Sequence, residues 1–363
     1  MSVSEKRPNR SRLVVAMVVL FIPIGIILGQ EVSNSDGGMS QASLRTWHEA
    51  VQTAPRPEKG CYKAVYPSTQ MIKIACVPSL PVVPMELPYD VKLALKGESE
   101  NQSIQPMTVG GSYGDYILQW DHEPTSVYAN FSISGVTSIT GPNANEFSAQ
   151  VNTNPTLSSP QCAGASNPSA CHGWEQAVFA NNTPSYGTVL LMQYWLLDYN
   201  NSCPSGWSSD GYGDCVKNST NAVPVSTPLT GSTINTLSAI GITATPGSSY
   251  EYGWLSVGNN INTMVDYYVY GDDPFSLTSN QTQWRSTEIN IFGGPGGQTA
   301  YFNNNSMISI TIRVSDAVGR VGDRDTPTCA GGSTTAEMNN LVLGTCQAFG
   351  VNYWPEISFS ESN

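Results

Sequence analysis

The chain has 363 residues, of which only 12% are charged, and its formal net charge is -12. Abundant Gly, Ser, Thr, Asn and Tyr residues are typical of an exported β protein. An acidic chain with so few Lys and Arg residues excludes nucleic-acid binding through a basic face, so no nucleic-acid partner is expected.

The N-terminal residues 1–29 predict export. Four basic residues between positions 6 and 12 precede an apolar run from Leu13 to Gly29. A basic start followed by an apolar core is the pattern of an export signal. The run is long for a cleaved signal and short for a membrane span, so two fates stay open: removal as a signal peptide, or retention as an N-terminal anchor. If the segment is uncleaved, it is the expected membrane contact; the rest of the protein is expected to be secreted or to lie in the cell envelope.

Residues 30–105 form a front segment that differs in charge and composition from the rest of the chain. It carries Trp47 and ends in a proline-rich stretch from Pro78 to Pro88. Its seven Lys and Arg residues oppose eight Asp and Glu residues, a net charge of -1, whereas residues 106–363 hold five against nineteen, a net charge of -14. Two interpretations have equal weight: a pro-segment that is released when carboxylates are protonated, or a small accessory domain with a proline-rich linker.

From Val109 onward the sequence alternates between candidate strands and turns. Branched and aromatic runs are bounded by Gly, Pro and Asn clusters, and no long segment has helical periodicity. This pattern predicts that residues 106–363 fold as an all-β domain with two packed sheets, a β-sandwich or jelly roll. The candidate strands are Tyr113–Trp120, Ser126–Ser134, Glu146–Asn152, Trp174–Phe179, Val189–Tyr199, Thr233–Thr243, Tyr250–Val257, Met264–Tyr270, Thr287–Phe292, Gln298–Phe302 and Met307–Val314.

Eight cysteines agree with export into an oxidising compartment. They allow 105 connectivities, and sequential pairing is expected because each couple brackets a loop rich in Gly, Ser, Pro or Asn. None has the C-x-x-C spacing of a zinc or redox site, so structural disulfides are favoured. The expected couples are Cys61/Cys76, Cys162/Cys171, Cys203/Cys215 and Cys329/Cys346.

Two short acidic stretches offer metal ligands. Trp120-Asp-His-Glu123 has oxygens and a nitrogen, but a solvated strand end is the favoured interpretation. Asp210-Gly-Tyr-Gly-Asp214 resembles part of a calcium loop, yet it lacks the terminal acidic ligand, so a glycine-rich turn is favoured. No metal and no cofactor are expected.

Glu175 and Gln176 are two long polar residues within a candidate strand. Neighbours on a strand point to opposite faces, so one of the two faces inward or lines a groove, and the sequence leaves open which one. A later candidate strand carries Glu288 and Asn290. A carboxylate and a primary amide on one face form a workable hydrolytic pair, because the carboxylate accepts a proton from water and the amide N–H stabilises the oxyanion.

These motifs resemble the glutamic peptidases of the eqolisin type. Gln176 precedes the aromatic strand at Tyr194-Trp195 by about twenty residues, as in that family's pattern. Thr287-Glu-Ile-Asn-Ile291 is similar to its Glu strand, and Ala300-Tyr-Phe302 follows. Gly173-Trp174 and the later aromatic run are also similar to the neprosin-type glutamic peptidases. The chain departs from the eqolisin pattern after Gln176, where Ala-Val replaces Thr-Gly.

The resemblance implies a concanavalin-like β-sandwich, preceded by a pro-segment, that acts as an acid endopeptidase on polypeptide substrates. Glu288 would be the general base and Gln176 its amide partner. The expected substrate-binding side chains are Trp174, Gln193, Trp195 and Asn290. The protein is expected to act as a monomer without a cofactor.

A non-catalytic module that binds glycans or cell-envelope polymers is the alternative function. Sugar-binding sandwiches use exposed aromatic rings as stacking platforms, whereas core packing is favoured for at least half of these rings. The rings concerned are Tyr113, Tyr116, Trp120, Trp207, Tyr212, Tyr250, Tyr252 and Trp254.

Overall fold

The computed structural model describes most of the chain after residue 57. The described residues are 43, 46–48, 50–51, 54, 58–79, 108–110, 115–120, 124–184, 187–245, 247, 251–260, 262–295, 298–315, 327–332, 337–349 and 355–363. The predicted export segment, residues 1–29, lies outside them. Residues 38–363 form one compact unit.

The described residues form strands almost throughout, with 3-10 turns at Pro160–Gly164, Ile234–Thr236 and Gln281–Gln283. In chain order the strands are β1 (Cys61–Val65), β2 (Ile72–Ile74), β3 (Val77–Pro78), β4 (Thr108–Gly110), β5 (Asp115–Gln119), β6 (Ser126–Ser134), β7 (Ile139–Thr140), β8 (Phe147–Thr153), β9 (His172–Thr183), β10 (Gly187–Leu197), β11 (Ser208–Ser209), β12 (Cys215–Asn218), β13 (Asn221–Pro224), β14 (Leu237–Thr243), β15 (Tyr252–Val257), β16 (Val265–Tyr270), β17 (Ser286–Gly293), β18 (Thr299–Phe302), β19 (Met307–Ser315), β20 (Thr328–Gly332), β21 (Met338–Leu343), β22 (Gln347–Phe349) and β23 (Glu356–Ser362).

Two large sheets contain all of these strands. The thirteen-stranded sheet has the order β2-β1-β16-β15-β14-β6-β19-β23-β21-β18-β7, with β22 beside β23 and β4 beside β21. The ten-stranded sheet has the order β11-β12-β10-β9-β8-β17-β5-β20, with β13 beside β10 and β3 beside β13. The protein is therefore an all-β sandwich, which confirms the predicted fold class.

The hydrophobic core lies between the two sheets and follows from the alternation of apolar residues along each strand. In β19, Ile308, Ile310 and Ile312 are buried and the residues between them are not. Aromatic rings from the ten-stranded sheet pack against one another in this core, with Phe147 in edge contact with Phe179. Side chains at every second position thus face the opposite sheet, as the period-two pattern predicts.

All four disulfides connect cysteines that are consecutive in the sequence, which confirms the expected pairing. Two of them lie at opposite ends of the sandwich. The disulfide Cys61–Cys76 joins β1 in the thirteen-stranded sheet to the residue before β3, which belongs to the ten-stranded sheet. The disulfide Cys329–Cys346 joins β20 in the ten-stranded sheet to the residue before β22 in the other.

The described part of the front segment belongs to the sandwich. Strand β1 pairs with β16, and β3 pairs with β13, so these residues extend both sheets. Trp47 and Val51 lie before β1 and pack with Trp254 and Tyr268 on the outer face of the thirteen-stranded sheet. The His48 Nδ1 atom lies 2.7 Å from the Asp266 Oδ2 atom, and both residues are buried. Whether residues 30–105 act as a pro-segment stays a prediction.

A search of the described residues for a helix that is long and apolar enough to span a membrane finds none.

Candidate active site on the outer face of the ten-stranded sheet

Gln176 lies on the outer face of β9, away from the thirteen-stranded sheet. Ala177 and Phe179 belong to the core between the sheets, while Trp174 and Val178 belong to two separate clusters of buried residues. Because alternate residues of a strand share a face, Gln176 shares the outer face with Trp174 and Val178, and Glu175 faces the core. The question that the sequence left open is thus answered: Gln176 lies on the outer face.

A network of amide side chains, which we call the amide cluster, surrounds Gln176 and consists of Gln150, Asn152, Gln176 and Gln193. The Gln176 Nε2 atom donates to Gln150 Oε1 at 2.8 Å and to Asn152 Oδ1 at 2.9 Å. Gln176 Oε1 accepts a hydrogen bond from Trp195 Nε1 at 2.9 Å, and the same indole nitrogen lies 3.1 Å from Gln193 Oε1. Every polar atom of the Gln176 amide is therefore oriented by a partner.

The strand register brings the two predicted dyad residues into one row. Glu288 on β17 is paired with Asn152 on β8, and Asn152 is paired with Gln176 on β9. The backbone of Glu288 therefore lies in the same row as Asn152 and Gln176. Two strand spacings separate Glu288 from Gln176, about 10 Å between backbones. The structure describes the backbone of Glu288 and of Asn290, which is paired with Gln150.

The row continues past Gln176 to the edge of the sheet. Gln193 on β10 is paired with Gln176 and with Asn218 on β12, and the Gln193 Nε2 atom donates to Asn218 Oδ1 at 2.9 Å. At this end lies a cavity of about 310 Å³. The residues that line it are Ser79, Gly206, Ser208, Val216, Lys217, Asn218 and Thr220. The outer face therefore carries a continuous line of polar groups that leads into a polar cavity.

Two tryptophans form an apolar border to the cluster. The ring centroids of Trp174 and Trp195 lie 6.1 Å apart, and both rings are buried with Val216. Trp174 Nε1 donates to the Thr153 backbone oxygen at 3.0 Å, which fixes the ring against β8. Three of the predicted substrate-binding residues, Trp174, Gln193 and Trp195, thus occupy neighbouring positions on β9 and β10, whereas the backbone of Asn290 lies on β17, two strands away from β9.

The amide cluster is enclosed in this structure. The exposed fraction of Gln176 is 2% and that of Asn152 is 0%, although both lie on an outer face. The Asn152 Nδ2 atom is buried and has no hydrogen-bond partner within the described part of the chain. A buried donor without a partner is costly, and this one lies in the row between Gln176 and the register position of Glu288.

Sequence reasoning missed Gln150, Asn152 and Glu337. Gln150 and Asn152 alternate with apolar residues along β8, and this alternation is visible in the sequence. Gln150 Nε2 donates to Glu337 Oε1 at 2.9 Å, and nothing in the sequence pairs these two residues, because Glu337 lies in a connection before β21.

Of the two acidic stretches, the one that ends at Glu123 is not tested, because residues 121–123 lie outside the described residues, and the one at Asp210 has a structural explanation. The Asp210 Oδ1 atom accepts hydrogen bonds from the backbone N–H groups of Tyr212 and Asp214, as expected of a glycine-rich turn. Across the described residues, no group of three or more His, Cys, Asp and Glu side chains is arranged to hold a metal ion.

Most of the aromatic residues that were considered as glycan-stacking platforms are buried or packed against other rings. Trp120, Tyr252 and Trp254 are buried, as the core-packing alternative predicts, and Tyr116 and Trp207 pack against phenylalanine rings. Tyr212 is 38% exposed. Tyr113 and Tyr250 lie outside the described residues.

Comparisons with known proteins give no relatives: no protein-family model, curated protein or solved structure matches the chain.

Proposed function

We propose that the protein is an exported, acid-active endopeptidase of glutamic-peptidase type whose active site is the row from Glu288 to Gln176. The observation that carries the proposal is the register that aligns Glu288, Asn152 and Gln176 on three adjacent strands. The four disulfides support the assignment to an oxidising, extracellular compartment.

In the proposed reaction, Glu288 is the general base and Gln176 stabilises the oxyanion. The Glu288 carboxylate takes a proton from a water molecule. At the same time the water oxygen bonds to the carbonyl carbon of the scissile peptide. The carbonyl oxygen becomes an oxyanion that accepts a hydrogen bond from the Gln176 amide. Glu288 then returns the proton to the leaving nitrogen as the C–N bond breaks. A carboxylate suits this role in acid, where a histidine base is already protonated.

The hydrogen bonds of Gln176 support its role as the donor. Trp195 holds the amide oxygen from one side, so the NH2 group is directed toward β8, the strand between Gln176 and Glu288. Both N–H groups are donated to Gln150 and Asn152 in this structure, so the proposed reaction requires that one of these hydrogen bonds is exchanged for a hydrogen bond to the oxyanion.

The proposal includes a processing step, because the amide cluster is buried and a polypeptide reaches it only once it is uncovered. We assign this step to cleavage within residues 30–105, the predicted pro-segment. Cleavage alone leaves β1 and β3 paired in the sheets, so the proposal also requires release of the cleaved segment in acid; Ser79 is the residue of this segment that lines the cavity beside Asn218.

The test uses the chain from residue 30 to 363, shifted from neutral pH to about pH 3 in the presence of denatured casein. Mass spectrometry follows both cleavage within residues 30–105 and cleavage of casein. We expect both in the wild type and in Glu58→Gln, a control at an exposed side chain that pairs with Lys73. We expect neither in Glu288→Gln, which keeps the side-chain shape but removes the base.

An inert wild-type chain would overturn the proposal and favour the glycan-binding alternative. Amide side chains form hydrogen bonds with sugar hydroxyls, and tryptophan rings stack on the faces of sugar rings. A glycan array probed with the wild type and with Trp195→Phe would then test that function.

A further inference from the structure

Glu175 and Glu251 meet in the interior between the two sheets. Glu175 comes from β9 of the ten-stranded sheet, and Glu251 immediately precedes β15 of the thirteen-stranded sheet. Both are 0% exposed, and Tyr194 connects them: it is paired with Glu175 across β9 and β10, and its hydroxyl donates to Glu251 Oε1 at 3.1 Å. The contact therefore joins the two halves of the sandwich through a pair of acids.

The other partners of the pair distinguish the two carboxyls. Glu251 Oε1 accepts hydrogen bonds from the Tyr194 hydroxyl at 3.1 Å and from the Asp273 backbone N–H at 3.0 Å. Within the described part of the chain, neither Glu175 oxygen has a hydrogen-bond partner, and Glu251 Oε2 has none either. Because a buried carboxylate without donors is costly, Glu175 is the carboxyl that is held more strongly in its protonated form.

The backbone packs closely around the pair. A Cβ atom placed on Gly271 would lie 2.7 Å from Glu251 Oε1 and 2.5 Å from the Tyr194 hydroxyl oxygen. The Tyr194 oxygen also accepts the Asp272 backbone N–H at 2.8 Å. The pair is thus held in place by the neighbouring strands and by the turn after β16.

The charged groups around the pair disfavour a second negative charge. Asp272 and Asp273 follow β16 and face Glu251 and Tyr194. Lys217 on β12 is paired with Tyr194, and its Nζ atom lies 2.9 Å from Asp272 Oδ2, with which it forms an ion pair. Two ionised carboxylates in this position would be buried and adjacent without a cation of their own.

We propose that Glu175 and Glu251 form a proton-dependent latch between the sheets, which holds the sandwich together in acid and loosens it in alkali. With the proton present, Glu175 is neutral and does not repel Glu251, so β9 packs against the start of β15. When base removes the proton, the two carboxylates repel each other and the contact becomes destabilising. This inference does not rest on the proposed peptidase function.

Burial, the largest cause in each case, raises the pKa of Glu175 well above its ordinary value and that of Glu251 from 4.5 to about 8. Because the folded state holds these protons more tightly than the unfolded chain, the latch contributes its full stability below about pH 4.5. That contribution is lost as the pH rises through about 8. The latch therefore stabilises the protein in acid, whereas a salt-bridged carboxylate loses its stabilising effect in acid.

The test measures the thermal midpoint of the full chain at several pH values between about 4 and 9. We expect the thermal midpoint of the wild type to decrease by roughly 10 °C over this range. In Glu175→Gln the decrease should be no more than about half as large. The glutamine amide is able to donate to Glu251, so the variant keeps a donor at this position and removes the Glu175 proton, while Glu251 still titrates. Glu58→Gln, at an exposed side chain, is the matched control and should behave like the wild type.

A second measurement keeps the proposal testable if a variant fails to fold. Infrared spectra of a Glu361→Gln chain, which lacks the other buried Glu with a raised pKa, should contain a protonated-carboxyl band at neutral pH. The band should disappear as the pH rises toward 9. Absence of the band at neutral pH, or a Glu175→Gln chain with the wild-type pH dependence, would overturn the latch.

Discussion

Two adjacent residues on β9 have different environments, and each is explained by the face that it occupies. Gln176 is buried among amides on the outer face, where its three hydrogen bonds satisfy the whole side chain. Glu175 is buried among acids in the core. A polar residue of either kind is tolerated inside a protein only when its partners are present, so both positions are sensitive to substitution.

Gln176→Ala should lower the free energy of unfolding by about 2–4 kcal/mol, because it leaves the Trp195 donor and the Gln150 and Asn152 acceptors without their partner. Urea denaturation at neutral pH measures this loss. Gln347→Ala, at an exposed position of β22, is the control and should change stability by less than about 0.5 kcal/mol. Equal effects of the two substitutions would mean that the network contributes nothing.

Glu361 provides a separate pH-dependent prediction. Burial raises its pKa from 4.5 to about 8, although a hydrogen bond from Asn339 Nδ2 to Glu361 Oε2 at 3.1 Å opposes the shift. The folded protein holds this proton more tightly than the unfolded chain, so its stabilising effect is lost as the pH rises through about 8. Glu361→Gln should therefore be more stable than the wild type above that pH and similar to it near pH 4.5, as judged by urea midpoints. A variant that differs from the wild type by the same amount at both pH values would contradict this assignment.

At the scale of elements, the described part of the front segment is held by strand pairing in both sheets. β1 pairs along its whole length with β16, and β3 pairs with β13. Trp47 packs on the outer face of the thirteen-stranded sheet and donates from Nε1 to the Ser68 backbone oxygen at 3.1 Å. Separation of this element from the sandwich therefore requires the loss of two ladders and a buried cluster.

A protease site inserted between Ser79 and Thr108 tests this integration. After cleavage, we expect the N-terminal piece to stay bound and to co-elute with the main domain in gel filtration at neutral pH. In denaturant the pieces should separate without reductant, because the Cys61–Cys76 disulfide lies within the N-terminal piece. Trp47→Ala should weaken the association measurably. A piece that dissociates from the wild-type protein under native conditions would contradict the ladder-based account.

At the scale of the whole molecule, two disulfides join the sheets at opposite ends of the sandwich, at β1 and at β20. A sandwich has open edges, so a covalent link at each end limits how far the sheets separate in partly unfolded states.

Replacement of Cys329 and Cys346 by serine should lower the free energy of unfolding by about 3 kcal/mol, the value expected for a loop of this length. Urea denaturation of the double variant measures the loss. The Cys162 and Cys171 double variant is the comparison, because its disulfide closes a shorter loop, with a sequence separation of 9 against 17, without joining the sheets. If loop closure alone matters, the two losses will agree within about 1 kcal/mol. A clearly larger loss at β20 would indicate that the link between the sheets adds stability of its own.

Much of the fold could be predicted from local patterns. Every candidate strand from Tyr113 to Val314 overlaps a strand of the sandwich. The strands that escaped prediction are short, as at β11 and β22, or lie in the front segment, where charged residues and prolines interrupt the apolar pattern, or follow Val314, as β20 and β21 do. β23 also escaped, although Ile357 and Phe359 alternate with polar residues in it, because glutamates near both of its ends have a low strand propensity.

The sequence by itself determined the all-β class, the sequential disulfides and the separation of Glu175 and Gln176 onto opposite faces. These features depend on short-range regularities: the period of two along a strand and the turn residues between cysteines. Only the tertiary structure decided which residues meet. The register that aligns Gln176 with Asn152 and Glu288, and the approach of Glu251 to Glu175 from the other sheet, join residues far apart in the chain. Alternation tells which face a residue occupies, but the neighbour on that face is chosen by strand order and sheet packing, which no local pattern encodes.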